Sequence, residues 1–175
     1  MAEPLWTSAE IAAATGGLLQ GAGFEATGVS IDTRTLEAGD LFVALNGARD
    51  GFVFAGDAFA KGAAGVLTAQ LVDGPHIEVD DTLLALERLG VAARLRSDAL
   101  RGAVTGSVGK TSVTQAIKAA LELAGPAHGS VKSYNNHFGV PLTLARMLRN
   151  TRRAVFEIGM NHSGEIEPLS RMVQP

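Results

Sequence analysis

The run Thr105-Gly106-Ser107-Val108-Gly109-Lys110-Thr111-Ser112 holds the groups that grip a nucleoside triphosphate. Gly106 and Gly109 let backbone N–H groups converge on phosphate oxygens with no side chain in the way. The N-terminus of the helix that follows the loop adds its partial positive charge. Lys110 is placed to reach the β- and γ-phosphates, and the Thr111 hydroxyl to bind Mg²⁺. Gly106, Ser107, Val108, Gly109, Lys110, Thr111 and Ser112 are therefore the candidate nucleotide-binding residues. The general pattern puts its first glycine at position 104, where this chain has Val104, so the loop is a shorter G-x-x-G-K-T. The alternative is a plain glycine turn beside a solvated lysine; the strand and helix patterns on either side favour the phosphate loop.

Glu157 closes the otherwise apolar run Ala154-Val155-Phe156. At the carboxyl edge of an open α/β sheet, beside a phosphate loop, a carboxylate can hold Mg²⁺ on the terminal phosphates. Read alone, Glu157 is equally an ordinary strand end facing water. Lys110 and Glu157 are the catalytic candidates, Thr111 and Glu157 the metal candidates. The segment Gly159-Met160-Asn161-His162-Ser163-Gly164-Glu165-Ile166 groups amide, imidazole and carboxylate between two glycines. His162 there has two readings, a phosphate or substrate contact and a helix cap or solvated residue. His76, His128 and His137 have no partner at metal-ligand spacing and read as structural or exposed.

These groups need a scaffold. Thr7 with Glu10 reads as a capping box for a short helix that Gly16-Gly17 stops. Strands are expected at Gly28–Ile31 and Leu41–Leu45, an alanine-rich helix at Val53–Lys61, and strands at Gly65–Thr68 and His76–Val79. Asp80-Asp81 caps a long helix in which Leu84, Val91 and Leu95 share one side. The strand Gly102–Thr105 then leads into the glycine loop. The helix after it carries Val113, Ile117, Ala120, Leu121 and Ala124 at helical spacing and ends at Gly125-Pro126. A helix at Pro141–Leu148, a buried parallel strand at Ala154–Ile158 and a helix after Gly164 complete the pattern.

The expected fold class is α/β: a small α/β unit over residues 1–80, then the start of a parallel-sheet phosphate-loop domain over 81–175. Residues 101–175 supply only about three strands, and such a sheet needs several covered on both faces. A fragment of a longer protein is the expectation, with an incomplete sheet edge open to self-association. The alternative is a compact small domain.

Composition narrows the class. With 46% apolar residues and mixed charges the 175-residue chain is globular, and a net charge of −3 gives no electrostatic reason to expect nucleic acid or an anionic membrane surface. Without cysteine there is no disulfide framework and no thiolate metal site. Met1-Ala2-Glu3-Pro4 lacks a signal-peptide pattern, and no apolar run approaches the roughly 20 residues that span a bilayer. No membrane insertion and a cytoplasmic location are the expectations.

Three segments together resemble the Mur ligases, the ATP-dependent amide-forming enzymes of peptidoglycan precursor synthesis. They are Thr105–Ser112, Asn135-Asn136-His137-Phe138-Gly139-Val140-Pro141-Leu142-Thr143 and Glu157–Ile166. Val29–Arg34, Gly39–Leu45 and Asn46-Gly47-Ala48-Arg49-Asp50-Gly51-Phe52 are similar to the family's N-terminal UDP-binding domain. The resemblance runs through nearly the whole chain, in order. It implies residues 1–80 as a UDP-sugar-binding domain and 81–175 as the first part of the central ATP-binding domain. It implies ATP and Mg²⁺ as cofactors, and UDP-N-acetylmuramoyl-tripeptide and D-alanyl-D-alanine as substrates. The peptide carboxylate would attack the γ-phosphate to give an acyl phosphate, which the amine then displaces. Asn135, Asn136, Asn161 and His162 would border the channel between nucleotide and UDP-sugar. Ser30, Thr33, Arg34, Asn46, Gly47 and Arg49 would hold the uracil and diphosphate, with Arg34 the natural two-point phosphate partner; the alternative for Arg34 is a surface pair with Asp32. The family's further metal-binding histidine, carbamylated lysine and C-terminal domain have no counterpart, so the chain alone is expected not to turn over. Two other readings stay open: a related ligase extending folate with glutamate, against which the Ser30–Arg34 and Asn46–Gly51 segments speak, and a nucleotide-binding module that does not catalyse.

Overall fold

A computed structural model of the chain describes residues 3–46, 50–131 and 134–175. The fold is mixed α/β with parallel sheets, in two compact units, Met1–Leu89 and Gly90–Pro175.

In the first unit β1 (Trp6–Thr7) runs straight into α1 (Ser8–Thr15). The capping box forms: the Glu10 N–H donates to Thr7 Oγ1 at 3.3 Å, and the Thr7 N–H donates to Glu10 Oε2 at 2.9 Å. Gly16, at φ +76°, takes the chain out of the helix. Then come β2 (Leu18–Gln20), β3 (Glu25–Ala26), β4 (Gly28–Ser30) and β5 (Asp40–Val43). A 3-10 turn (Gly51–Phe54) leads into α2 (Ala55–Ala60), followed by β6 (Gly65–Thr68) and β7 (His76–Glu78). The main sheet has the order β2-β7-β6-β5-β4, with β4 to β7 parallel and β2 antiparallel at one edge. Ser30 therefore sits beside Phe42, and Val43 beside Leu67. Alternation sends Phe42, Ala44 and Val66 into a cluster with Ala55 and Ala58, while Leu41, Val43 and Leu67 are buried on the opposite face.

α3 (Thr82–Leu95) starts where expected, with Asp81 Oδ1 accepting the N–H groups of Leu83 and Leu84 at 2.8 and 3.0 Å. The two units divide inside this helix, between Leu89 and Gly90, rather than at residue 80. The side marked by Leu84, Val91 and Leu95 is not its packed face. Leu84 is 42% and Leu95 72% exposed, and the buried residues are Ala85, Leu86, Leu89 and Ala93. Both stripes are apolar at helical spacing, so periodicity alone does not choose between them.

The second unit continues with β8 (Leu100–Val104), α4 (Lys110–Glu122), β9 (His128–Gly129), α5 (Gly139–Ala145), β10 (Arg153–Glu157) and α6 (Ile166–Val173). Its parallel sheet has the order β8-β10-β9, with β8 at an edge and Leu100 79% exposed. Ala154, Phe156 and Ile158 point into one apolar cluster with Val140, Leu144 and Met147 from α5 and its end, and Leu169 and Val173 from α6. Val155 and Glu157 alternate to the other face, which α4 covers in part. The α4 residues expected to form its core face are largely outside: Val113 is 48% and Ile117 38% exposed, Ala120 and Ala124 are exposed, and Leu121 is half-buried. The one fully buried residue of α4 is Thr114. The helix thus lays a partly polar stripe on β10 and leaves its apolar stripe along an open groove of about 340 Å³ lined by Leu100, Val104, Ile117, Leu121 and Val155.

Candidate functional site

β8 delivers the phosphate loop to the carboxyl edge of the parallel sheet, where open α/β sheets bind ligands. Gly106 and Gly109 have φ of +148° and +78°. A Cβ on either would meet nothing within 4 Å, so glycine is required there by conformation and not by crowding. Lys110 Nζ donates to the Gly106 carbonyl at 2.8 Å, closing the loop on itself. α4 begins at Lys110 with Gly109 as its cap and no side chain bonded to its first turn. Those backbone N–H groups and the helix dipole make an anion site. Ser107, Val108 and Ser112 are exposed around it, and Thr111 is half-buried in the first turn.

Glu157 ends β10, the strand paired with β8, in register with Val104. It is 1% exposed, so the water-facing reading does not hold. Its backbone N–H donates to Ser130 Oγ at 2.9 Å, and its Oε1 accepts from Asn135 Nδ2 at 2.6 Å. Its Oε2 is buried without a hydrogen-bond partner. A buried carboxylate oxygen left bare is costly unless a cation takes it up. Among the described residues no group of three or more His, Asp, Glu or Cys could hold a metal alone. A cation here would share its ligands with phosphate oxygens, the habit of Mg²⁺, and the hydroxyl of Thr111 and carboxylate of Glu157 are the hard oxygen donors it takes.

The two asparagines do different work. Asn136 Oδ1 accepts the N–H groups of Phe138 and Gly139 at 3.2 and 2.9 Å, shaping the turn into α5, while Asn135 faces Glu157. In the Gly159–Ile166 loop the organiser is Glu165, the carboxylate of that segment, to which the sequence assigned no role. Its Oε2 accepts the N–H of Asn161 at 2.7 Å and of His162 at 3.3 Å. Those bonds hold its carboxyl below the usual range, with the His162 and His137 imidazoles adding to the effect. The Asn161 and His162 side chains are left exposed on the loop. His128, by contrast, is half-buried, with Nε2 2.7 Å from the Thr143 carbonyl, and desolvation pushes its pKa down.

In the first unit Ser30 closes β4 and Asn46 follows the carboxyl end of the neighbouring strand β5. Ser30 is fully buried, its hydroxyl donating to the Asp32 carbonyl at 3.1 Å. Thr68 closes β6 the same way, donating to the Gln70 carbonyl at 3.0 Å. Arg34 is paired with Asp32 through Nε at 2.9 Å and Nη2 at 2.6 Å, with its own side chain 86% exposed. Nearby, Lys61 Nζ donates to the Thr33 carbonyl at 2.6 Å. Asn46 is exposed. Gly47 and Arg49 lie outside the described residues.

Residues 104–175 match the Mur ligase middle domain. The UDP-N-acetylmuramoyl-tripeptide–D-alanyl-D-alanine ligase of Bacillus subtilis is 43% identical over 154 residues, 85% of this chain and 34% of that protein. The chain belongs to the Mur ligase family. The Escherichia coli ligase of the same name is 41% identical over 162 residues, 91% of the chain and 36% of its own length. Among solved structures, a UDP-N-acetylmuramoylalanyl-D-glutamyl-2,6-diaminopimelate–D-alanyl-D-alanyl ligase from Acinetobacter baumannii superposes with a TM-score of 0.86 at 33% identity. That match covers 99% of this chain and 40% of the other. This Mur ligase chain therefore spans about a third of the length of the curated relatives it matches. Its likeness extends through both units, not the phosphate-loop unit alone. Among the described residues no helix is long and apolar enough to cross a membrane.

Proposed function

We propose that the chain is the UDP-sugar-binding and nucleotide-binding part of an ATP-dependent ligase that adds D-alanyl-D-alanine to UDP-N-acetylmuramoyl-tripeptide in cytoplasmic peptidoglycan precursor synthesis. The observation that carries this is Glu157: buried, with one oxygen bare, on the strand paired to the one that leads into the Lys110 loop. The first unit takes the UDP-sugar and the second begins the ATP domain.

The reaction asks little covalent help from side chains. The peptide carboxylate attacks the γ-phosphate and expels ADP, and the D-alanyl-D-alanine amine then displaces phosphate from the resulting acyl phosphate, losing a proton as the amide forms; positioning and charge neutralisation dominate. Lys110 leaves the Gly106 carbonyl to take charge on the transferring phosphoryl group, while the Gly106–Gly109 backbone and the first turn of α4 hold the phosphates. Thr111 and Glu157 would hold Mg²⁺, which would supply charge neutralisation on the terminal phosphates. Asn161 and His162, exposed on the loop after β10, and Asn136 on the turn before α5 are the substrate-side residues of this unit. Ser30, Thr33, Arg34, Asn46, Gly47 and Arg49 remain the assignment for the uracil and diphosphate. Arg34 reaches a diphosphate by exchanging its exposed bond to Asp32, a pair of small net worth. Lys61, beside Thr33, adds a second cation at that edge.

Calorimetry on the 175-residue chain tests the reading. ADP with Mg²⁺ should give heat that Lys110→Ala abolishes. UDP-N-acetylmuramoyl-tripeptide should bind more tightly than UDP-glucose. A folded chain silent to both ligands would overturn the proposal. In a full-length ligase Lys110→Ala should slow turnover by on the order of 10²-fold or more, as for comparable charge-stabilising groups.

A further inference from the structure

We propose that Asn135 is a positioning residue, whose side-chain amide clamps Oε1 of Glu157 so that Oε2 is presented to a divalent cation, and that residue 159 is glycine to leave room for that clamp. The inference rests on the reading of Glu157 as a metal ligand and extends it to the groups that aim it.

The contact is a 2.6 Å hydrogen bond from Asn135 Nδ2 to Glu157 Oε1. An ionised carboxylate can only accept, so the nitrogen of the amide must be the atom that faces it. A bond from a donor to a charged oxygen is strong and directional, and it fixes which of the two oxygens is occupied. The other, Oε2, is buried and bare. Ser130 Oγ, accepting the Glu157 N–H at 2.9 Å, fixes the backbone beneath.

Asn135 is itself held from two sides. Its carbonyl accepts the Gly159 N–H at 2.8 Å, tying the loop before α5 to the chain leaving β10. Asn136, next in sequence, is committed to the turn through Phe138 and Gly139. Gly159 has no positive φ to explain it. Its explanation is space: a Cβ there would lie 2.7 Å from Asn135 Cγ, 2.8 Å from Oδ1 and 2.9 Å from Nδ2. All three contacts are with the side-chain amide that grips Glu157, so any side chain at 159 displaces the clamp. An aspartate at 135 would set two carboxylates against each other, and a glutamine would add a methylene where the space is already filled.

The test uses Mn²⁺ as the probe, its binding to the 175-residue chain followed by electron paramagnetic resonance with saturating ADP. ADP affinity without metal and the thermal midpoint are measured alongside. Groups that hydrogen-bond a metal ligand typically contribute 10–100-fold to metal affinity. Asn135→Ala should weaken Mn²⁺ by roughly that factor, with ADP affinity unmoved. Gly159→Ala should do the same with Asn135 present, and should change Mn²⁺ affinity less than about twofold in the Asn135→Ala background, as expected when two changes remove one interaction. A lowered midpoint with unchanged Mn²⁺ affinity overturns the inference, as do fully additive losses or unfolding of both single variants, because the contact would then be architectural. Glu157→Gln separates the two levels. If it leaves Mn²⁺ binding intact, the metal reading itself falls; if it weakens Mn²⁺ and Asn135→Ala does not, only the clamp falls.

Discussion

Replacing Glu157 by glutamine should make the ligand-free chain more stable while removing the response of nucleotide binding to Mg²⁺. The native carboxylate is 1% exposed, with Oε1 bonded to Asn135 and Oε2 bonded to nothing. Desolvating an ion costs several kcal/mol in real proteins. The glutamine keeps an oxygen for Asn135, but the bond becomes neutral and loses about 1 kcal/mol. Its amide N–H groups then occupy the bare position at about 1–3 kcal/mol, less than the charge costs there. The balance is a gain of about 1–2 kcal/mol, or about 5 °C or more in the midpoint of a domain of this size. The assay is differential scanning calorimetry of both proteins, alone and with Mg²⁺ and ADP. A ligand at 100 times its Kd stabilises by about 2.7 kcal/mol. Wild type should therefore rise above the variant on adding both ligands, and the order of the two melting points should invert. A ligand-free variant that melts below wild type would refute the reasoning, since the bare oxygen would then not be a cost.

Other sites give independent tests. Thr7→Ala removes a capping box whose two bonds are 3.3 and 2.9 Å, and should cost about 1 kcal/mol in urea denaturation without touching ADP binding. His128 has its pKa lowered first by burial and then by the Lys118 and Arg146 charges, against the Thr143 carbonyl, which raises it. A lowered folded pKa means that the unfolded chain takes up the proton first. Stability should then be full above the unfolded value of about 6.5 and fall as pH drops below it, by at most about 1.4 kcal/mol per pH unit. Urea midpoints from pH 7.5 to 5.5 should show a steeper decline for wild type than for His128→Asn; equal slopes would dismiss His128 as the source. Arg34→Ala should leave the melting point nearly unchanged, because its pair with Asp32 is exposed, yet weaken UDP-N-acetylmuramoyl-tripeptide in calorimetry. Unchanged affinity would return Arg34 to the role of a surface pair.

How much of this was legible depended on whether a local rule settles the feature. Thr7 with Glu10, Asp81 before α3, and Gly106 and Gly109 before Lys110 each act within a few residues, and each stands in the structure as its spacing implied. β1, β2, β3 and β9 are two or three residues long, too short to carry a period, and exist through pairing with distant partners. The site divides along the same line. Lys110 and Thr111 could be named from one motif. The bond between Asn135 and Glu157 joins residues from different loops, and the crowding of Gly159 against Asn135 leaves no mark on composition or spacing.

The apolar stripe of α4 shows the limit most clearly. Val113, Ile117, Ala120 and Leu121 do share one side of the helix, which ends before Ala124, and that much follows from a 3.6-residue period. The same period says nothing about what lies over that side. α4 lies over part of β10 with Thr114 as its one fully buried residue, and the phosphate loop fixes where the helix begins. Its start is set at the N-terminus, by Gly109 and the chain leaving β8. Ile117 and Leu121 border the sheet only across the open groove, with Ile117 38% exposed. The loop is continuous with the sheet at Val104, whereas the stripe has the open groove beside Leu100 and Val155 to pack on.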